Sequence, residues 1–174
     1  MTSSNQISSR EANTGSRSAS GGTGKGASEQ HTIESLVCFV IDNRPYALDV
    51  ALVREVVNVG TVFPVPNAAA AIAGVFSLRG ATVALVDTSA LIGVNSANQR
   101  AVALIIVRNH QTMCGLTIDR VVGVTRFVAA NFIPADPERE PAQVIGFMPD
   151  ERGGLLTVLD SAVILDALNR LRFR

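Results

Sequence analysis

Short apolar runs rich in Val, Ile, Thr and Phe, broken by Gly, Pro, Asn and Asp, follow one another from about residue 36 to residue 159. Runs of this kind predict β-strands, here over 36–41, 45–48, 56–62, 73–78, 82–86, 102–108, 112–117, 121–128, 144–148 and 155–159. Three helical segments interrupt them. Asp49 is placed to cap a turn or two carrying Val50, Val53 and Val57 on one face, and Asp87 to cap Ser89–Ile92, which Gly93 stops. Asp160 is placed to cap a longer helix from Ser161 to about Arg172, whose stripe of Ile164, Leu168 and Leu171 would pack on the strands.

The pattern is written twice. Ile72 to Asp87 has a degraded echo in Val144 to Asp160: a Gly after two apolar residues (Gly74, Gly146), an Arg-Gly turn (Arg79-Gly80, Arg152-Gly153), a β-branched run, then an Asp. Upstream, Val37–Ile41 ahead of Asp42–Pro45 is answered by Leu104–Val107 ahead of Arg108–Gln111, Glu55–Val59 by Arg120–Val124, and Phe63–Pro66 by Phe132–Pro134. Two copies make a pseudo-symmetric pair, not a solenoid. About five short strands per half close most readily into small barrels, which remove exposed edges. The expected architecture is therefore mainly β, two pseudo-symmetric five-stranded barrel subdomains with short helices and a C-terminal helix.

Composition narrows the function classes. Residues 1–34 are rich in Ser, Gly, Thr and Asn, with too few apolar side chains to offset the entropy of ordering, and are expected to form a tail ahead of a folded region over 35–174. Apolar residues make up 47% of the chain, and with so few in the tail the folded region has an apolar excess to place on interfaces. The formal net charge is zero and the charges are dispersed, which argues against a nucleic-acid footprint or a polybasic membrane patch and for protein partners. The longest apolar stretch, Ala68–Phe76, is far short of a bilayer span and no signal-peptide core is seen, so no membrane insertion and a cytoplasmic location are expected.

No catalytic constellation emerges, and neither a metal nor a cofactor is implied. Cys38 and Cys114 sit within or beside apolar runs with no second ligand at metal spacing, and read as core thiols. His31 in the tail and His110 in a turn have no group to orient them as bases. Gly21–Gly26 lacks the Ser or Thr that a phosphate loop needs after its lysine, and that Lys25 is the sole lysine of the chain. Asp87 and Asp160 read as duplicated helix caps, not paired carboxylates.

Glu55 and Arg79 stand out as charges in apolar surroundings, where an unpaired ion would be costly. A structural ion pair is one reading, and a pair that shapes a binding surface is the other. The copy written as Arg120 and Arg152 did not keep it, so the first copy carries a specialised face. Val50 and Val53 likewise admit a core reading, which their spacing favours, and a docking reading.

Taken together, Phe39-Val40-Ile41-Asp42, Tyr46–Val50, Val53-Arg54-Glu55-Val56, Pro64–Asn67, Gly74–Gly80, Val86-Asp87, Gly115–Val121 and Leu159-Asp160 resemble the CheW-like domain family of bacterial chemotaxis coupling proteins. The resemblance runs from about residue 35 to the C-terminus. It departs from the family pattern at Ser77, at Ala84 and at Thr88-Ser89-Ala90. It implies two intertwined SH3-like barrels and a non-enzymatic adaptor. Such adaptors bind the cytoplasmic tip of methyl-accepting chemoreceptors on one surface and the regulatory domain of the histidine kinase CheA, itself CheW-like, on another. Carried over by position, the resemblance implies a receptor groove of Val37, Val50, Val53 and Val121 with Glu55 beside it. It implies a kinase-facing surface at Val62, Gly74 and Arg79, and recruitment to membrane-associated receptor arrays.

Two other readings stay open at this level. A relative serving a type IV pilus, gliding or developmental pathway would carry the same motifs and could bind receptor without kinase. A small-ligand barrel or enzyme would need a polar pocket that sequence does not reveal.

Overall fold

The computed structural model describes residues 33–94, 102–108, 112–150 and 153–171. The tail residues through Thr32, including Lys25 and His31, lie outside the described residues, as do His110, Arg152, Arg172 and Arg174. Among the described residues eleven strands form two sheets. The first holds β1 (Ser35–Ile41), β2 (Arg44–Asp49), β8 (Arg120–Arg126), β9 (Ile133–Pro134), β10 (Val144–Pro149) and β11 (Leu155–Leu159), in the order β8-β1-β2-β11-β10-β9. The second runs β3-β6-β7-β5-β4, from β3 (Val53–Asn58), β4 (Ile72–Leu78), β5 (Ala81–Val86), β6 (Val102–Arg108) and β7 (Thr112–Ile118).

The chain is mainly β, as its short β-branched runs predict, and the two halves are interlocked: β1 and β2 join the sheet of the second half, while β6 and β7 join that of the first. The exchange is made by two matching parallel pairs, β2 with β11 and β7 with β5, in otherwise antiparallel sheets. The first sheet has one strand beyond the five expected, the two-residue β9; its counterpart in the second sheet is a single bridge between Phe63 and Val75.

Register gives the correspondence between copies. Val37 lies opposite Leu48 and Val124, as Leu104 lies opposite Leu116 and Val56. Phe39 lies opposite Val121, as Ile106 lies opposite Val53. Val53 and Val121 are thus equivalent, and the partner of Glu55 in the second copy is Gly123, which corrects the Arg120 match read from the sequence. Both β3 and β8 carry a bulge at this point, at Arg54 and at Val122.

Three apolar clusters hold the body together. Phe76, Val83, Leu85 and Ala103 fill one sheet's concavity, and Leu36, Ala47, Met148, Leu156 and Val158 occupy the equivalent positions of the other. Between them lies a larger cluster drawn from both sheets, including Phe39, Leu48, Leu104, Ile106 and Leu116. The C-terminal helix α2 (Ser161–Arg170) closes it with Ile164 and Leu168, both fully buried, each such side chain worth about 1.5–3 kcal/mol of transfer free energy. Among the described residues no helix is long and apolar enough to cross a membrane.

The duplicated aspartates are caps. Asp87 Oδ1 accepts from the Ser89 amide at 2.9 Å ahead of α1 (Thr88–Leu91), and Gly93, at φ 73°, follows its end. Asp160 Oδ1 accepts from Ala162 and Val163 at 2.8 and 3.0 Å. The predicted helix after Asp49 is a single 3₁₀ turn, Val50–Leu52, and the strand begins at Val53 instead of residue 56. Asp49 Oδ1 does cap that turn through Ala51, but the β-branched residues that follow favour the extended chain once β6 offers its edge.

A hydroxyl follows each helix cap, and Thr88 Oγ1 and Ser161 Oγ are both buried with no hydrogen-bond partner among the described residues. Thr88→Val is therefore expected to raise the free energy of unfolding by about 1 kcal/mol in urea titrations, because it removes an unsatisfied polar atom. The bond from the Thr88 amide to Thr117 Oγ1, at 3.3 Å, does not involve that hydroxyl and should survive. A lower stability would show that the hydroxyl is in fact satisfied.

Candidate functional site

The first copy builds its special feature from a strand and a turn. Exposure alternates along β3, with Val53, Glu55 and Val57 half-buried and Arg54, Val56 and Asn58 exposed, but the bulge at Arg54 packs Val53 on the central cluster and Val57 on the cluster of Phe76 and Val83. The hairpin joining β4 to β5 turns at Arg79 and Gly80, with φ of 51° and 82°. Two successive positive φ values are the signature of a type I′ turn, which Asn-Gly adopts at least cost and an arginine adopts at some penalty. The turn aims the Arg79 guanidinium back across the sheet, and its Nη2 donates to Glu55 Oε2 at 2.7 Å.

The exposure of this pair decides its energetic weight. The Arg79 side chain is 75% exposed and that of Glu55 20% exposed. A contact so open to water contributes about 0–1 kcal/mol to stability at most. The fold does not need it, and its place in the second copy is taken by Gly123, where an added Cβ would meet nothing within 4 Å.

The apolar residues assigned beside it fall into three depths. Val53 and Val121, the equivalent positions on β3 and β8, are half-buried and pack from opposite copies on the shared central cluster. Val37 is 3% exposed and belongs to that cluster itself, so it lies beneath them. Val50, on the 3₁₀ turn, is 37% exposed. Glu55 stands two residues from Val53, but the bulge at Arg54 sets the two opposite the adjacent residues Ile105 and Ile106, so they face opposite sides of the sheet.

Val62 and Gly74 are brought together for a steric reason. The Phe63 amide donates to Val75 O and the Val75 amide to Phe63 O, both at 2.8 Å, pulling the segment 62–63 onto β4. An added Cβ at Gly74, whose φ is 149°, would stand 2.6 Å from both Phe63 O and Val62 Cγ1. Gly74 is thus a seat for the neighbouring segment, while Val62 and Phe63 are exposed above it, Phe63 by 58%. Gly146 repeats the arrangement, its missing Cβ occupied by Ile133 O and the Phe132 ring.

Sequence reasoning missed Phe63, which its place beside Val62 could have suggested, and it missed the edge strand β8. There Arg120, Val122, Val124 and Arg126 are all exposed, the bulge at Val122 setting Arg120 on the face opposite to Val124 and Arg126. Beside β8 opens a cavity of about 440 Å³, bordered by Cys38, Val40, Arg120, Gly123, Asp150 and Leu156 among others. Cys38 is half-buried there, whereas Cys114 is buried.

Comparison with known proteins gives this geometry a context. A family model described as the CheW-like domain matches residues 35–169. The chemotaxis protein CheW of Thermotoga maritima is 30% identical over 91 residues, covering 52% of this chain and 60% of that protein. The chemotaxis protein CheW of Rhizobium meliloti is 32% identical over 87 residues, 49% of this chain and 56% of that one. A probable chemotaxis protein CheW of Rhizobium etli is 29% identical over 104 residues, with 59% and 66% covered. The matched stretches therefore span less than two thirds of each of these relatives. The crystal structure of the scaffolding protein TtCheW from Thermoanaerobacter tengcongensis superimposes with a TM-score of 0.64 at 21% identity, over 74% of this chain and 90% of that one, a likeness of fold.

Proposed function

The chain belongs to the CheW-like domain family, and from that premise we propose that it is a non-enzymatic adaptor coupling methyl-accepting chemoreceptors to the histidine kinase CheA in bacterial chemotaxis arrays. The observation that carries this reading is the span of the family match, residues 35–169, which takes in every strand of both sheets. The adaptor is cytoplasmic and is drawn to the membrane through the receptors it binds.

On this reading the receptor tip docks against Val50, Val53 and Val121, with Val37 as the floor beneath them and Glu55 at the margin. The half-buried valines supported by a packed cluster suit the recognition of a helical tip, where a few apolar anchors dominate affinity. The kinase regulatory domain docks on the side of Val62 and Arg79, where Gly74 holds the segment carrying Val62 and the exposed Phe63 adds apolar area. The Glu55–Arg79 pair then lies between the two surfaces and ties them together.

Separate pull-downs of the full chain with receptor cytoplasmic fragments and with CheA test the proposal. Both partners are expected to be retained, and Val50→Asp is expected to weaken receptor capture about tenfold or more while leaving the kinase bound. Failure to retain either partner would sink the adaptor reading; equal loss of both in Val50→Asp would sink the separation of the two surfaces.

A further inference from the structure

The register divides the side chains of β8 between the two faces of its sheet. Val121 lies opposite Phe39 on the side of the central cluster, whereas Arg120, Gly123 and Thr125 lie opposite Val40, Cys38 and Leu36, on the side of the concavity that Leu36 and Leu156 fill. The cavity of about 440 Å³ opens on that second side. Its floor is apolar, with Val40 and Leu156 each 5% exposed, and Asn43, Arg120 and Asp150 border it as polar groups.

In the first copy the same place is filled. Register matches Glu55 to Gly123, Val57 to Thr125 and Met113 to Pro45, and it matches Leu78, two residues beyond Phe76, to Asp150, two residues beyond Met148. Val57, Leu78 and Met113 pack on the cluster of Phe76 and Val83, and the Glu55 side chain is only 20% exposed. Their second-copy counterparts are shorter or more polar, so the hollow is written at several positions and is not the accident of one glycine. Nothing steric keeps position 123 empty either: its φ is not left-handed, and an added Cβ would meet nothing within 4 Å. Unfilled space of this kind forfeits packing energy, which a ligand recovers on entering it.

We infer that the cavity binds a small organic carboxylate, whose apolar body enters the hollow over Val40 and Leu156 and whose charge stays at the mouth on Arg120. The volume is at the small end of the range of about 300–1,000 Å³ typical of small-molecule sites, and suits a ring or a short branched chain. Charge selects an anion. Among the described residues bordering the cavity Arg120 is the only cation, and it forms no ion pair with a described acid. A guanidinium offers a carboxylate two parallel N–H donors. The bordering acid, Asp150, serves its own turn: its Oδ1 accepts from the Gly154 amide at 2.6 Å, and its amide donates to Gly154 O at 2.9 Å. The site is on the face of β8 away from Val121, and stands whether or not the chain couples receptor and kinase.

Calorimetric titration of the full chain with phenylacetate and isovalerate, and with the neutral phenylacetamide and the cationic benzylamine, tests the inference. Saturable binding of a carboxylate is expected, with the amide and the amine at least tenfold weaker. Occupancy should slow alkylation of Cys38, which borders the cavity, while the buried Cys114 stays unreactive with or without ligand. Arg120→Gln is expected to weaken carboxylate binding about tenfold at an unchanged melting temperature, since the residue is exposed. Gly123→Leu, which sends a side chain into the hollow, should abolish binding while the melting temperature holds or rises. No saturable binding of either carboxylate, equal binding of the three charge types, or unchanged affinity in Arg120→Gln would overturn the inference. So would full binding by a natively stable Gly123→Leu protein, because the anion would then sit elsewhere.

Discussion

Gly146→Val is expected to destabilise the protein by about 3 kcal/mol or more, enough to lower its melting temperature by more than 10 °C for a body of this size. Any Cβ at position 146 falls on Ile133 O and the Phe132 ring, and the obstruction on one side is backbone, which cannot rotate away. Relief requires β9 to lift from β10, breaking the pairing of Phe147 with Ile133 and exposing the Phe127–Phe132 contact, whose ring centroids are 5.3 Å apart. Gly74→Ala is expected to be costly for the same reason, with the added strain of an L side chain at φ 149°. The two substitutions differ in which loop they displace. Gly74→Ala lifts Val62 and Phe63 and should reduce kinase binding, whereas Gly146→Val should spare it in whatever fraction remains folded. Thermal unfolding with kinase pull-down separates these outcomes, and a Gly74→Ala protein of native stability would show that the segment 62–63 is not seated as described.

The glycine pair shows what the sequence could and could not express. Its duplication was legible, because Gly74 and Gly146 each follow two apolar residues and precede an Arg-Gly turn, and that regularity revealed the two-copy architecture. Its purpose was not, since the close approach comes from residues eleven or more positions away, at Phe63 and Ile133. Strand positions were legible for a simpler reason: each is a short run rich in β-branched and apolar residues bounded by turn residues, so β1, β2, β4, β5, β6, β7, β10 and β11 fall within a residue or two of expectation. The turn after Asp49 was misjudged because a cap and three valines at helical spacing also suit a tight turn feeding a strand. Only the free edge of β6, a tertiary fact, decides between them.

Correspondence between copies needed the structure most. The run Arg120–Val124 matches Glu55–Val59 by residue type, yet the register shows that Gly123 answers Glu55, because the loops between equivalent strands differ in length and apolar alternation looks alike at several offsets. The correction strengthens the asymmetry. Where residue type alone matches Glu55 to a different charge, the second copy holds no side chain at all, and a cavity opens beside it. Two places that the fold makes equivalent thus differ: one holds the Glu55–Arg79 ion pair of the first copy, the other is left open at Gly123.

Reversing the charge at Arg79 is expected to separate function from stability most sharply. Arg79→Glu places a carboxylate against Glu55 and should lower receptor-coupled kinase activation about tenfold or more, while the melting temperature changes by only a degree or two, since the lost contact is 75% exposed on the arginine side and worth about 1 kcal/mol at most. Arg79→Asn carries the argument further. Asparagine tolerates the αL conformation that Arg79 occupies at φ 51°, so this variant should be as stable as the parent or slightly more stable, yet still lose coupling. A turn that keeps a strained arginine where a relaxed asparagine would fold better has retained it for what its guanidinium reaches. Adding Glu55→Arg to Arg79→Glu rebuilds the pair with its charges exchanged, and kinase activation should recover in part. Strictly additive losses in that double variant would mean the two residues act independently, and a large drop in melting temperature for Arg79→Asn would mean the pair belongs to the fold after all.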